Sequence, residues 1–514
     1  MNDGCPTKPP HRGGFSKSLA AKLIHYIIAG LSLFAGLFYN EQNIKSLLTE
    51  APERLEAKYH WVKTADDISY LRPAENYYLH GVWKDNNPGR QSFFLRTPGY
   101  GFFRFTLMEI FGMEQSYFYF KYVQLALFSI SVLLLFYIAM LVGLPCRYAL
   151  ILEAIYGLSP FASGFIYYSI SEGISPMLMI GYTYFLIAGY KRAKVSHFLL
   201  AALILAYIGI TRPLLMLFGI GLPLAIFWSK LSLSLGRRTL LALICGFIGI
   251  APLGMWALRS AQIAGHYVGI YPIYYTENNS QFRPTHQAIW EFEKSYGTEG
   301  KDFHQLMVPL WSATVRGDSS DLYLDSLLLD CPAFVKQTIG EQRLRKSYTL
   351  YRQSILYQKD HYPRGSAMPD TIPAIEMEVI HDFQIYTSEI NSKHWLWCHL
   401  IVPLKLFKAV SFHSNLSMYI FQHTLRGRWW MEGLRLYFLV VHLLCCLSFI
   451  GVFFLQGDRL LRIHFGLIIF LYFFYLCSIF RGLEERYTLP ILPLMLLGLA
   501  YNTYMVFIRV SRVQ

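Results

Sequence analysis

Residues 119–143 read YFKYVQLALFSISVLLLFYIAMLVG, an apolar run broken by a single charge, Lys121. As a helix, such a run satisfies its own backbone and is long enough to cross the hydrocarbon core of a bilayer. Leu144-Pro-Cys-Arg147 stops it, and a second apolar stretch begins at once. The same alternation continues along the chain in both directions. Spans are predicted at about 19–39, 119–143, 148–169, 172–190, 197–210, 213–229, 239–257, 433–455, 462–480 and 488–508. The tight pair over 148–190 also admits a re-entrant segment.

The composition agrees with this reading. The chain has 514 residues, 54% hydrophobic and only 15% charged, whereas soluble domains average about a quarter charged. The net charge of +13 is concentrated in short breaks such as Lys191-Arg-Ala-Lys194, Lys230–Arg238, Gly457–Arg462 and the tail Arg509–Arg512. Basic clusters of this kind orient spans toward the cytoplasm. The charge is therefore a topology signal, and nucleic acid is not the expected partner. With the basic N-terminal tail (Lys8, Arg12, Lys17), both termini are predicted to be cytoplasmic.

The expected fold is an all-α polytopic membrane protein, a bundle of about ten transmembrane helices with two outer-face loops. Residues 1–257 form the N-terminal module, including a first outer loop at 40–118. Residues 258–432 form a larger, mostly helical outer loop, and 433–514 supply the closing helices. In the larger loop, Asp330-Cys-Pro332 predicts a helix start that runs to about Gln358. The aromatic and basic stretches 395–410 and 416–430 suit interfacial helices.

Cys245, Cys445, Cys446 and Cys477 fall in apolar spans and read as small buried hydrophobes. Cys331 and Cys398 share the larger loop and could form a disulfide. His394, Cys398 and His399 lie in an aromatic run that reads as an interfacial belt, and no metal site is expected.

On this topology Asp66, Asp67, Arg96, Glu172, Arg212, Arg259, Arg481, Glu484, Glu485 and Arg486 all fall at one membrane side. Ionised groups near membrane depth are costly and mark sites or paired structural charges. A carboxylate at Asp66 or Asp67 can take a proton from an incoming hydroxyl or amine. Equally, Asp67 can cap a helix over 68–80. Arg212 and Arg259 can bind an anion or snorkel to headgroups. Arg96 can bind phosphate or brace its Pro-Gly turn, and Arg481 and Glu484 can pair with each other.

The order of these residues resembles a family. Asp66-Asp-x-x-Tyr70-x-x-x-Ala74, then Gly81 and Arg96-x-Pro98-Gly-Tyr100, resembles the first periplasmic loop of GT-C glycosyltransferases. The nearest branch contains protein O-mannosyltransferases and lipid A aminoarabinose transferases. Ser171-Glu172, Thr211-Arg212-Pro213, Trp256-x-x-Arg259 and Arg486-Tyr487-x-x-Pro490-x-x-Pro493 continue that pattern in order. Ser260 departs from it, where the family carries Asn.

The resemblance implies a transferase that moves a sugar from a polyprenyl-phosphate donor to a protein, lipid or glycan acceptor. The site would face the periplasm from a bacterial inner membrane and use no metal or other cofactor. It assigns catalysis to Asp66, with Asp67 and Glu172. It assigns donor binding to Tyr70, Arg96, Arg212, Arg259, Arg486 and Tyr487. The motif-free region 260–432 would select the acceptor. An O-antigen polymerase or ligase, a transporter and a non-catalytic assembly partner remain open alternatives. The sequons Asn278-Asn-Ser280 and Asn415-Leu-Ser417 also lie on the predicted outer side.

Overall fold

The computed structural model describes residues 13–513 other than 57, 59–60, 65, 88–89, 271–282, 298–299, 319, 363–366, 368, 413–424, 455–456 and 482–483. Both sequons fall outside the described residues. The described chain is almost wholly helical. Its strands form two small antiparallel hairpins, Leu55–Glu56 with Trp61–Val62 and Asp85–Asn87 with Arg90–Ser92.

Among the described residues, six helices are long and apolar enough to cross a membrane: Leu23–Glu50, Met113–Leu141, Leu235–Ala264, Trp429–Phe453, Arg459–Phe480 and Arg486–Ile508. Each overlaps a predicted span. Their outward faces carry bare apolar side chains; Phe34 is 70% exposed and Phe247 74%. Exposed apolar faces of this extent belong against hydrocarbon, not water. The protein is membrane-embedded.

The remaining predicted spans are shorter pieces. Ser175–Arg192 and Val195–Thr211 are continuous helices. The stretch after Arg212 begins as the 3₁₀ turn Pro213–Ile220 and becomes α-helical over Gly221–Trp228. The predicted continuous span 148–169 is not one. Its helix covers Cys146–Gly157, stops before Ser159-Pro160, and restarts for one turn over Pro160–Ser163. Proline cannot continue the helical ladder, and Ser159 caps the restart by accepting from the Ala162 amide at 3.2 Å.

The irregular chain that follows this turn is buried and bonded. Val62 donates its amide to the Tyr167 carbonyl at 2.7 Å, and Ser169 donates to the Val62 carbonyl at 3.3 Å. The first helix serves the same segment. Asn40 donates to the Ser163 carbonyl at 2.9 Å, and Asn43 to the Tyr168 hydroxyl at 2.7 Å. These partners explain why the helix runs on to Glu50, well past its predicted end near 39.

A second hydrophobic core lies in the long region between the Leu235–Ala264 and Trp429–Phe454 helices. Ile289, Phe292, Leu344, Tyr351, Phe383 and Ile390 are buried there. Its helices include Pro284–Tyr296, Leu322–Asp330, Ala333–Ile339, Glu341–His361 and Ala374–Lys393. The helix predicted to run unbroken to Gln358 is divided at Gly340, whose φ of +92° no ordinary helix admits. Val402, Leu406 and Val410 of the next helix pack in the main core. Cys331 and Cys398 are free thiols. Cys398 is buried in the module core, while Cys331 ends the Leu322–Asp330 helix, so the disulfide is not formed.

Gly99 fixes how the first inter-span segment docks on the bundle. A Cβ there would lie 2.7 Å from the Thr211 amide nitrogen and from the Ile210 carbonyl carbon. Tyr207 secures the approach by donating its hydroxyl to the Gly99 carbonyl at 2.8 Å. Gly99→Ala is expected to force these backbones apart and cost about 1–3 kcal/mol, read as a lowered midpoint in detergent unfolding. Gly254→Ala, with open space around the added carbon, is the neutral control.

Candidate active site

The Val62 ladder and the Gly99 contact bring distant charges to one place. Two residues after Val62, Thr64 donates its hydroxyl to the Ser169 carbonyl at 3.2 Å. Asp66 and the Ser171–Gly173 turn therefore arrive side by side. Gly99 holds the Arg96-Thr-Pro-Gly segment against Thr211, so Arg96 and Arg212 approach from neighbouring backbones. Arg486 closes the group from the 3₁₀ turn Glu485–Ile491, ahead of the last helix.

These side chains form an alternating chain of charge. Arg96 donates to Tyr70 Oη at 3.1 Å and to Asp66 Oδ1 at 2.8 Å. Arg486 donates to Asp66 Oδ2 at 3.2 Å and lies 3.4 Å from Glu172 Oε1. Arg212 pairs with the same Glu172 oxygen at 2.8 Å. Tyr70 lies beneath the Arg96 guanidinium and Tyr487 beneath that of Arg212, at 5.1 and 5.2 Å. Such faces stabilise a cation without neutralising it.

The two carboxylates differ in access. The Glu172 side chain is 4% exposed and the Asp66 side chain 17%. Burial alone would push Glu172 up, but Arg212 and then Arg486 overcome it and hold its pKa at about 2. Ser171 adds a hydroxyl donor at 3.3 Å. Burial also opposes the charges on Arg96 and Arg212. The Tyr70 and Asp66 oxygens outweigh it for Arg96, and Glu172 does so for Arg212, so both pKa values rise.

Asp66, Tyr70, Arg96, Glu172, Arg212, Arg486 and Tyr487 of the predicted site thus come together. Asp67 begins the Asp67–Tyr70 helix, and its side chain lies outside the described residues. Helix capping by Asp66 uses its backbone carbonyl, which accepts from the Ser69 and Tyr70 amides; its carboxylate is engaged by the guanidiniums. Arg259 stands apart from the site. It donates to the carbonyls of Phe93 and Trp83 at 2.8 and 2.7 Å and lies over Trp256, bracing the first inter-span segment.

Arg481 and Glu484 do not pair with each other. Glu484 pairs with Arg486 Nε at 2.5 Å, and Arg481 binds backbone carbonyls. The nearness of Glu484 to Arg486 in sequence was the signal for the first pairing. No sequence pattern marks a guanidinium that will bind carbonyls. Among the described residues, no three His, Cys, Asp or Glu side chains group as metal ligands would.

No family model, curated protein or solved structure matches this chain. The chemistry of the cluster must carry the reading. It combines three guanidiniums able to grip an anion through paired N–H donors with three carboxylates: Glu172 shielded, Asp66 partly open and Glu484 more open still.

Two stability effects test this geometry. Arg212→Ala leaves the buried Glu172 with Arg486 alone, and a loss on the order of 3 kcal/mol is expected. Adding Glu172→Gln should recover much of that loss in detergent unfolding. The folded pKa of Glu172 is depressed from 4.5 to about 2. Its contribution is therefore complete above pH 4.5 and drains as pH falls toward 2. The wild-type acid limb of stability should be steeper than that of Glu172→Gln in this window.

Proposed function

We propose that the protein is a membrane glycosyltransferase of the polyprenyl-phosphate-sugar type, with its site on the outer face of a bacterial inner membrane and about ten crossings in all. The observation that carries this reading is Asp66, an accessible carboxylate held between Arg96 and Arg486. A phosphate-linked donor needs both functions in one place: cations for the phosphate and a base for the acceptor.

On this reading the phosphate of the donor takes over guanidinium donors of Arg96 and Arg486. Asp66, released from them, accepts the proton of the acceptor hydroxyl or amine. The acceptor atom bonds to the anomeric carbon as the bond from that carbon to the phosphate oxygen breaks, and the electron pair leaves on the phosphate. The guanidiniums stabilise the negative charge that grows there. Attack from the side opposite the phosphate inverts the anomeric centre. Glu172, shielded and strongly ionised, holds Arg212 and Arg486 in place and takes no proton.

A narrow apolar crevice, too small to admit a hydrocarbon chain, lies beside the start of the last helix. Ile155, Phe161, Phe438, Val441, Leu492 and Leu496 line it. His442, also on its wall, hydrogen-bonds Thr488 at 3.1 Å, in the same turn as Arg486.

The test is transfer of labelled sugar from a polyprenyl-phosphate donor in membranes, alongside mass spectrometry of glycans and lipids from cells lacking the protein. Asp66→Asn should express normally, retain donor binding and lose about 10²- to 10⁴-fold in turnover. Full activity in this variant would remove the assignment. Activity that depends on a growing glycan bound to lipid, and survives Asp66→Asn, would point to an O-antigen polymerase or ligase.

A further inference from the structure

Arg481 is the unusual residue of the last inter-helix connection. Its backbone is left-handed, with φ of +54°, although it carries a full side chain. Such a conformation persists only where the surroundings over-determine it. Here they do. The guanidinium is buried, and Nη1 donates to the carbonyls of Lys294 and Ser295 at 3.0 and 3.2 Å. Nη2 donates to the Cys398 carbonyl at 2.6 Å, and Nε to the Ser478 carbonyl at 3.0 Å.

The contact is reciprocal. Lys294, buried at the end of the Pro284–Tyr296 helix, donates its ammonium to the Phe480 carbonyl at 2.9 Å. Each partner thus binds the backbone of the other's segment. Aromatic packing extends the join inward. Trp290 meets Phe480 with centroids 6.4 Å apart, Phe480 meets Tyr487 at 6.0 Å, and Tyr487 underlies Arg212. A continuous packed path therefore leads from the helical module to the charge cluster.

We infer that Arg481 and Lys294 form a clasp through which the helical module sets the position of Arg486 and Tyr487. They are positioning residues, and a catalytic consequence rests on the transferase reading given above. The clasp holds the chain just ahead of Arg486, whose guanidinium must reach Asp66 and Glu172 together. With the clasp open, the module would remain folded on its own core while the turn at 485–491 loosened.

The experiment is hydrogen exchange on the full-length protein in lipid nanodiscs, comparing wild type with Arg481→Gly and Lys294→Met. Glycine accepts the left-handed φ, so the first variant removes the clasp without adding backbone strain. Exchange should quicken on the order of tenfold at 485–491 and at the C-terminal end of the 284–296 helix, with Met113–Leu141 unchanged. Unchanged exchange at 485–491 overturns the inference. If Arg481→Gly loosens every helix, Lys294→Met decides: loosening confined to 485–491 supports the clasp, and none there overturns it.

Transfer kinetics supply the second readout. Turnover should fall on the order of tenfold, with the half-saturating donor concentration changed far less. Unaltered turnover beside loosened exchange would overturn the positioning role. If wild-type protein transfers no sugar from any polyprenyl-phosphate donor, the transferase reading fails, and exchange alone judges the clasp.

Discussion

The structure depends on neutralising the guanidinium of Arg486. It stands where the last helix begins and is only 11% exposed, so it persists there only with anions close by. The anions come from far away in sequence. Asp66 lies 420 residues upstream, and Glu172 opens a helix in the first half of the chain. Satisfying one cation therefore fixes the meeting of the first inter-span segment, the Ser175–Arg192 helix start and the last helix. Because Asp66 and Glu172 are each shared by two arginines, movement of any one member unbalances the others.

Irregular backbone makes that meeting possible. At membrane depth, chain outside a helix is tolerated only if protein satisfies its polar groups. The stretch after Ser163 meets this requirement by bonding to Val62, Thr64, Asn40 and Asn43. It thus converts a broken helix into the platform that carries Ser171 and Glu172. The same segments could not approach as closely if Gly99 carried a side chain.

The sequence was legible where one physical requirement dominates. Long apolar runs must become helices in lipid, so the six longest helices overlap predicted spans. The break at Ser159-Pro160 was written in the proline, but hydropathy averaged over 148–169 concealed it. Charges at span ends marked Glu172, Arg212 and Arg486, because an ionised group there needs a partner, while Asp66 and Arg96 stood out within the loop at 40–118 through the Asp-Asp pair and the Arg-Thr-Pro-Gly turn. Arg259 and Arg481 obey the same need yet meet it with carbonyl oxygens. Spacing cannot distinguish a carbonyl partner from a carboxylate, since every residue supplies a carbonyl. Lys294 has a carboxylate partner one turn back, Glu291 at 2.7 Å, but its second partner, the Phe480 carbonyl across the fold, had no sequence signal.

The charge balance of the cluster imposes an order on the proposed reaction. Arg96, Arg212 and Arg486 face Asp66, Glu172 and Glu484, three cations against three anions. An incoming phosphate can bind strongly only by displacing one of those carboxylates. Glu172 is enclosed and bonded to two guanidiniums, so its displacement would leave a buried, uncompensated charge. Asp66 is more open than Glu172 and pairs with both Arg96 and Arg486, whereas Glu484, more open still, pairs with Arg486 alone. Donor binding and release of Asp66 thus become one event. Before it, the carboxylate is held as the ion-pair partner of Arg96 and Arg486. After it, the carboxylate has lost its cations and is beside a group that polarises the sugar. In the proposed reaction, such a site withholds Asp66 from the acceptor until the donor has taken over its arginines.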